Sequence, residues 1–328
     1  MTLAIQLVTY NGAEYLPTLF ESLVSQKDRD WTLYVFENMS AQRNEIRALV
    51  HEFRAKLPIV YVESDKNIGF AGGHQKLFTM HDADLVTLVN PDVILMPNFI
   101  EKQRAIFESC PNLGSASGVI YRWNFEADRP ALSNVVDSLG LVELVNGKVV
   151  DRGAGELVCE NVVDSLGLGE FVCNNVEPLL GVSGCLPTYR REAVESSSHD
   201  RLLFYPMYES YKEDVDLAYR LKRSGWRSKI VADAHAYHKR TFNEASNREH
   251  ISYSVQFWSY RNHLWNLLTH TSARDMVKRG WAIVPFELAK AGYFAFTNPR
   301  ILIDTARDTF KYYPEIKKKR SWYAKRTH

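Results

Sequence analysis

Along the first hundred residues the apolar positions alternate between two spacings. Residues 3–10 form a nearly continuous apolar run that ends at Asn11-Gly12, a turn signal. Leu16, Leu19, Phe20, Leu23 and Val24 follow at helical spacing. The same reading predicts strands over 31–36, 59–62 and 85–89. It predicts helix over 46–53, 71–80 and 97–109. Repeated strand–helix units imply a mostly parallel central sheet with helices on both faces. Sheets of this kind bind ligands beyond the carboxyl ends of their strands.

Residues 124–178 break the rhythm, being rich in Val, Gly, Asn and Asp. They contain an exact repeat: the sequence at 135–141 recurs at 162–168, and 155–162 resembles 169–176. Two copies are too few for a solenoid. The segment reads as a local duplication forming β-hairpins, a β-rich insertion. The pattern then resumes with a helix over 212–224, Gly225 where a C-terminal cap belongs, and a strand over 226–231. From about 251 onward the chain reads as helical and separate. The expected division is a catalytic domain over 1–245, with the insertion at 124–178, and a C-terminal helical region with a basic tail over 246–328.

Composition narrows the classes. With 328 residues, 45% hydrophobic and 24% charged, the chain reads as soluble and globular, and a net charge of +1 gives no drive toward nucleic acid. Charge is concentrated at the end: residues 311–328 hold Lys311, Lys317, Lys318, Lys319, Arg320, Lys325 and Arg326 against Glu315, interleaved with aromatics. Such a tail suits an anionic membrane surface or a solvated cap that mediates self-association. Residues 281–296 are apolar but carry Glu287 and Lys290, and are too short to span a bilayer. Cys110, Cys159, Cys173 and Cys185 form no C-x-x-C pair and read as reduced thiols. No signal peptide is recognisable. The expected location is therefore the cytoplasm.

Three places carry chemistry. Asp92 follows the apolar strand in Asn90-Pro91-Asp92, where a carboxylate could hold a divalent cation against a diphosphate, although the tripeptide is also an ordinary turn. In Glu213-Asp214-Val215-Asp216-Leu217 three acids crowd a helix start. At about 100° per residue, Asp214 falls on the face of Leu217, Ala218 and Leu221, with Asp216 nearly opposite and Glu213 at the edge. An acid on the apolar side is costly without a reason. The positive helix end would keep it ionised, as a general base must be. His238 lies beyond the following strand, where a metal-ligand role competes with a structural one. Asn67-Ile68-Gly69-Phe70-Ala71-Gly72-Gly73 joins the third strand to a helix, allowing close backbone approach to an anionic ligand. It matches neither the dinucleotide-binding nor the P-loop pattern.

In this order, together with Val8-Thr9-Tyr10-Asn11, Val35-Phe36-Glu37-Asn38, Gly181-Val182-Ser183-Gly184 and Tyr260-Arg261-Asn262, these segments resemble a family 2 glycosyltransferase of the GT-A fold, rhamnosyltransferase-like branch. The resemblance spans about 3–262. It implies that Thr9, Asn11, Glu37 and Asn38 line a nucleoside pocket and that Asn67, Gly69, Gly72 and Gly73 lie near ribose and diphosphate. It makes Asp92 the last acid of a D-x-D motif, Asp214 the base of an inverting transferase and His238 a ligand of Mg²⁺ or Mn²⁺. The donor would be dTDP-rhamnose, a UDP-sugar or a GDP-sugar, and the acceptor a saccharide or lipid-linked hydroxyl. Two positions depart from the pattern. Asn90 stands where many members have an acid, and Glu37 replaces an Asp. A non-catalytic nucleotide-sugar-binding scaffold and a nucleotidyltransferase are the rival classes. The latter usually has basic residues after the first strand, where this chain has Asn11-Gly12-Ala13-Glu14.

Overall fold

Strand β1 (Leu3–Thr9) is buried at every position, as expected of a parallel strand covered on both faces. It pairs in parallel with β2 (Thr32–Glu37) on one side and β4 (Leu85–Val89) on the other, and β2 pairs with β3 (Ile59–Glu63). The computed structural model describes residues 1–126, 129–157, 179–239 and 251–324. Helices α1 (Leu16–Val24), α2 (Arg43–Phe53) and α3 (Gly69–Phe78) connect the first four strands. Leu16, Leu19, Phe20 and Leu23 of α1 join Ile46, Val50 and Phe53 of α2 against Leu3, Ile5 and Leu7. Ala71 and Phe78 of α3 pack on the opposite face against Val86 and Leu88. Chain order runs outward from β1 through β2 to β3, then returns to β4 on the other side. Strand order therefore reverses between β1 and β4, the place where sheets of this kind bind ligands, beyond the carboxyl ends of the strands.

The second half of the sheet is antiparallel where it joins the first. The short β10 (Thr188–Arg190) lies between β4 and β6 (Leu113–Glu126), antiparallel to both. Next to β6 comes β11 (Arg227–His238), parallel to it, and β5 (Val93–Leu95) closes the edge, antiparallel to β11. The final register sets His238 opposite Val93, immediately after Asp92. Helices α4 (Phe99–Ser109), α5 (Arg191–Ser196) and α6 (Glu213–Arg223) cover this half. Strand β7 (Arg129–Ser138) pairs with β6 as a hairpin, and β8 (Leu141–Glu143) pairs with β9 (Val149–Asp151) as a separate one. The expected insertion boundary at 124 thus falls inside β6, and β7 extends the main sheet. The repeat copy at 162–168 and the similarity at 169–176 lie outside the described residues. Cys185 is a free buried thiol, whereas Cys110 is disulfide-bonded, against the expectation of reduced thiols throughout.

Helices α7 (Tyr253–His270), α8 (Ala273–Thr297) and α9 (Pro299–Ala324) form the C-terminal region. They correct two sequence expectations. Asp216, placed nearly opposite the buried face of its helix, is 1% exposed because α7 and α9 cover it. Its carboxylate accepts from Arg220 Nε at 2.9 Å and from Lys319 Nζ at 2.7 Å, with His270 Nε2 at 2.9 Å. The basic tail is likewise only partly free. Lys319 is 3% exposed, Lys318 pairs with Asp200, and Arg320 donates to the Leu268 carbonyl. Lys325, Arg326 and His328 lie outside the described residues. Among those described, no helix is long and apolar enough to cross a membrane.

Candidate active site

The carboxyl ends of β1, β2 and β4 and the start of α6 bring most of the singled-out residues to one crevice. Asn90 and Asp92 leave β4, and His238 ends β11. His238 Nε2 lies 3.4 Å from Asp92 Oδ1 and 3.4 Å from Asn90 Nδ2, while Nδ1 lies 2.8 Å from Asp137 Oδ2. Burial alone would lower the His238 pKa. Asp92 and Asp137 outweigh this and push it up to about 10. Asp137 is 2% exposed and sits on β7, in the first copy of the sequence repeat. Sequence reasoning missed it, because nothing in the chain order foretells that β7 folds back beside the end of β11.

These groups suit a divalent cation. A histidine with one nitrogen fixed by a carboxylate and the other facing a second carboxylate is a common metal-binding arrangement. The side-chain ligand atoms of Asp137, Cys185 and His238 also lie within 4.8 Å of one another. That second set includes a buried thiol, which suits a softer metal than Mg²⁺. Asp92 and His238, 19% and 14% exposed, are the pair that faces the crevice.

Asp214 occupies the first turn of α6 and is half-buried. Its Oδ2 accepts from the Gly184 amide at 3.0 Å and its Oδ1 from the Val215 amide at 2.7 Å. Burial raises its pKa from the ordinary value, while Lys212 and the two amides pull it back. The neighbouring Cys185 carbonyl accepts from the Asn90 amide at 3.0 Å. One short segment therefore ties the candidate base to the residue two positions before Asp92. Glu213 is different: it is 6% exposed, and its Oε2 is buried without a hydrogen-bond partner. Burial and the charge of Asp214 push the Glu213 carboxyl up to about 8.

A raised carboxyl pKa stabilises the fold fully below the ordinary value of about 4.3, and that contribution is lost as pH rises through about 8. Glu213→Gln removes the charge but keeps the shape. It should melt higher than wild type by several degrees at pH 8.5, corresponding to about 1–2 kcal/mol, and show no such gain at pH 4. Thermal denaturation at the two pH values checks this, and an equal shift at both would contradict it.

The loop leading into α6 is held in an uncommon conformation. Glu209, Tyr211 and Lys212 have φ of 60°, 71° and 66°, a region non-glycine residues rarely adopt. Asn262 Nδ2 donates to the carbonyls of Tyr208, Ser210 and Tyr211, Arg261 to those of Met207 and Tyr208, and Asn266 to that of Lys212. The Tyr260-Arg261-Asn262 segment therefore braces the entry to the helix carrying Asp214.

The donor-side residues divide into frame and surface. Thr9 is fully buried, with its hydroxyl on the Phe36 carbonyl. Glu37 is also fully buried; its oxygens accept from the Ser40 amide at 2.5 Å and Arg43 Nε at 2.6 Å. Asn38 joins Asn67 and Gly69 by its amide nitrogen and accepts from the Ile68 amide. Gly69 has φ of 74°, and a Cβ there would lie 2.6 Å from the Glu209 carbonyl oxygen. A Cβ on Gly73 would lie 2.9 Å from Val8. Gly72 is buried at its side. Gly69 and Gly73 permit close packing of α3 on the loop before α6 and on β1. Asn11, Asn67, Gly69 and Asp92 keep exposed surface. Lys239 and Tyr15 join them, with Lys239 Nζ donating to the Tyr15 hydroxyl at 3.1 Å, and the buried Trp123 donates from Nε1 to the Asp92 carbonyl at 2.8 Å.

A mixed sheet with this order and this crevice is the GT-A glycosyltransferase architecture. The sequence model of glycosyl transferase family 2 matches residues 5–137, the first part of the chain. Among solved structures, S. aureus TarS residues 1–349 with UDP-GlcNAc aligns at TM-score 0.53 and 14% identity, covering 90% of this chain and 73% of that one. GalNAc-T7 with UDP, GalNAc and Mn²⁺ gives TM-score 0.60 at 10% identity, with coverage of 82% and 48%. The mannosyltransferase PcManGT from Pyrobaculum calidifontis with GDP-Man and Mn²⁺ gives 0.53 at 13%, with coverage of 98% and 84%. The chain spans 45% of the longer S. aureus TarS chain. At these identities the likeness is one of fold. No curated protein matches the chain.

Proposed function

We propose that this protein is an inverting glycosyltransferase that moves a sugar from a nucleotide-diphosphate donor to a hydroxyl of a saccharide or lipid-linked acceptor in cell-surface polysaccharide synthesis. It works in the cytoplasm, at the inner face of the membrane. The observation that carries the reading is the Gly184–Cys185 segment, which holds Asp214 on one side and Asn90 on the other. Base and diphosphate contact thereby share one rim of the crevice.

The nucleotide lies across the carboxyl ends of β1 and β2, over the frame of Thr9, Glu37 and Asn38, with Asn11, Asn67 and Gly69 at its surface. Asp92 and His238 would hold Mg²⁺ or Mn²⁺, which would supply positive charge against the leaving diphosphate. Asp137 fixes the orientation of His238. Lys239, whose amide donates to the Asp92 carbonyl at 3.2 Å, adds a cation beside the phosphates. Asp214 accepts the proton of the acceptor hydroxyl. The oxygen of that acceptor hydroxyl then attacks the anomeric carbon opposite the diphosphate, the C–O bond to the diphosphate breaks, and configuration inverts. dTDP-rhamnose is the proposed donor on sequence resemblance, with UDP- and GDP-sugars as the alternatives that the ligands of TarS and PcManGT suggest.

A thermal-shift screen of UDP, dTDP and GDP, each with and without Mn²⁺, tests the reading, because a ligand of the native state raises its stability with occupancy. One nucleotide should stabilise the protein, and Mn²⁺ should tighten it by about tenfold or more, roughly 1.4 kcal/mol. Calorimetry on Asp92→Ala and His238→Ala should show that Mn²⁺ effect lost. Tight nucleotide binding indifferent to Mn²⁺ and to both substitutions would remove the metal from the proposal.

A further inference from the structure

Helix α8 turns an apolar face outward along its whole length. Val277, Trp281, Val284 and Leu288 recur at intervals of four, three and four residues and so share one side. They are 86%, 72%, 44% and 67% exposed, and Phe296 near the end is 93% exposed. Scattered exposed apolar residues are normal on a soluble protein, but a contiguous stripe marks an interaction surface.

The charges on the same helices are sorted. In α8, Asp275 closes a capping box with Ser272, Glu287 lies 2.7 Å from His263 Nε2, and Arg279 pairs with Glu143. Arg274 and Lys278 are the exposed charges, and both are basic. Helix α9 continues the pattern. Ile303, Phe310 and Tyr313 are exposed beside exposed Lys311 and Lys317 and beside Arg300 and Arg307, which are exposed and share Asp304, with Glu315 as its exposed acid. An apolar groove of about 650 Å³ between α7 and α9 is lined by Leu264, Leu302, Ala306 and Phe310 among others.

We infer that the outer face of α8, continued on α9, docks this protein on an anionic lipid bilayer. Apolar side chains enter the interface while the basic ones meet headgroups. Charge complementarity selects this occupant: a second copy on the same face would bring like charges together. The contact differs from the tail contact expected from sequence, because Lys318, Lys319 and Arg320 are engaged within the fold. The placement also serves the chemistry. On its inner side α8 holds Ile283 near Gly147 in the β8–β9 turn, and Leu141 and Val149 of that hairpin pack on Val215 and Ala218 of α6. The thickness of one helix, about 10 Å, thus separates the membrane face from the hairpin beside the Asp214 helix. The inference deepens the lipid-linked acceptor reading, and its test reads membrane binding separately from transfer.

The test is cosedimentation of the intact chain with vesicles of phosphatidylcholine, with and without phosphatidylglycerol. The protein should pellet with the anionic vesicles at low salt and leave them at high salt. The double variant Trp281→Ser/Leu288→Ser should bind on the order of tenfold more weakly or worse, with melting temperature and nucleoside diphosphate binding unchanged. A chain ending at Ala324 should bind as well as the intact one. Four results would overturn the inference: no binding to anionic vesicles at low salt; a double variant that binds like wild type; a truncated chain that no longer binds, placing the contact in the tail; or a dimer in sedimentation equilibrium that the double variant breaks, making the face a self-interface.

Discussion

Asp214→Asn should reduce kcat for sugar transfer by about 10²–10⁴-fold, the usual contribution of a positioned general base, while leaving nucleotide binding within about twofold. The separation follows from geometry. Asp214 is held by the amides of Gly184 and Val215 at the start of α6, whereas the proposed nucleotide frame of Thr9, Glu37 and Asn38 sits at the ends of β1 and β2. An asparagine keeps the size and an acceptor oxygen but cannot take a proton. The acid limb of the wild-type pH profile should also lie above the ordinary carboxylate range, because burial raises the Asp214 pKa. The rate should fall as pH drops through that raised value. Near-normal turnover by Asp214→Asn, measured as nucleoside diphosphate release with acceptor present, would assign the base elsewhere.

Asp216→Asn should lower stability by about 3–5 kcal/mol, the cost of leaving buried charges without their partner. For a chain of this size that corresponds to a fall in Tm of about 10 °C. Asp216 is the common acceptor for Arg220, Lys319 and His270, and Arg220 is fully buried. Burial alone would raise the Asp216 pKa, but Lys319 and Arg220 overcome it and hold the carboxyl far below its usual range. A depressed pKa gives stability that is full above the ordinary carboxylate value and lost as pH falls through the folded one. Wild type should therefore weaken below about pH 4, and the difference from Asp216→Asn should shrink there. Because Lys319 lies on α9 and Asp216 on α6, the variant should also loosen the C-terminal helices, read as faster amide exchange in α9. An unchanged Tm would show that the network does not hold the two parts together.

The contrast between these two acids shows how far the sequence could be read. Both stand in one five-residue motif, and helical periodicity separates them correctly in angle. It cannot say what covers the far side. The face nearly opposite the apolar one carries the ion cluster because α7 and α9, more than 30 residues later in the chain, pack onto it.

Strands β1, β2 and β4 were legible because buried parallel strands are apolar runs, and the edge strand β3, though only partly covered, carries such a run as well. The start of β6, Leu113-Gly114-Ser115-Ala116-Ser117-Gly118, was not. Its small residues carry no strand signal, and they are small because a Cβ on Gly118 would lie 2.1 Å from the Ala234 carbonyl oxygen. Asp92 and His238, singled out by motif order, lie side by side in the structure, while Asp137, which contacts the histidine, needed the β7 hairpin to become visible. The glycines after Asn67 were located correctly, but their packing partners, Val8 and Glu209, lie on other elements.

The central claim is direct displacement at the anomeric carbon with Asp214 as base. It is tested most directly by proton NMR of the transferred sugar, recorded early, with the nucleotide-sugar that the thermal-shift screen selects. The anomeric signal should report configuration opposite to that of the donor, and Asp214→Asn should give no product over the same interval. Retained configuration, or product formed equally fast by Asp214→Asn, would contradict the mechanism.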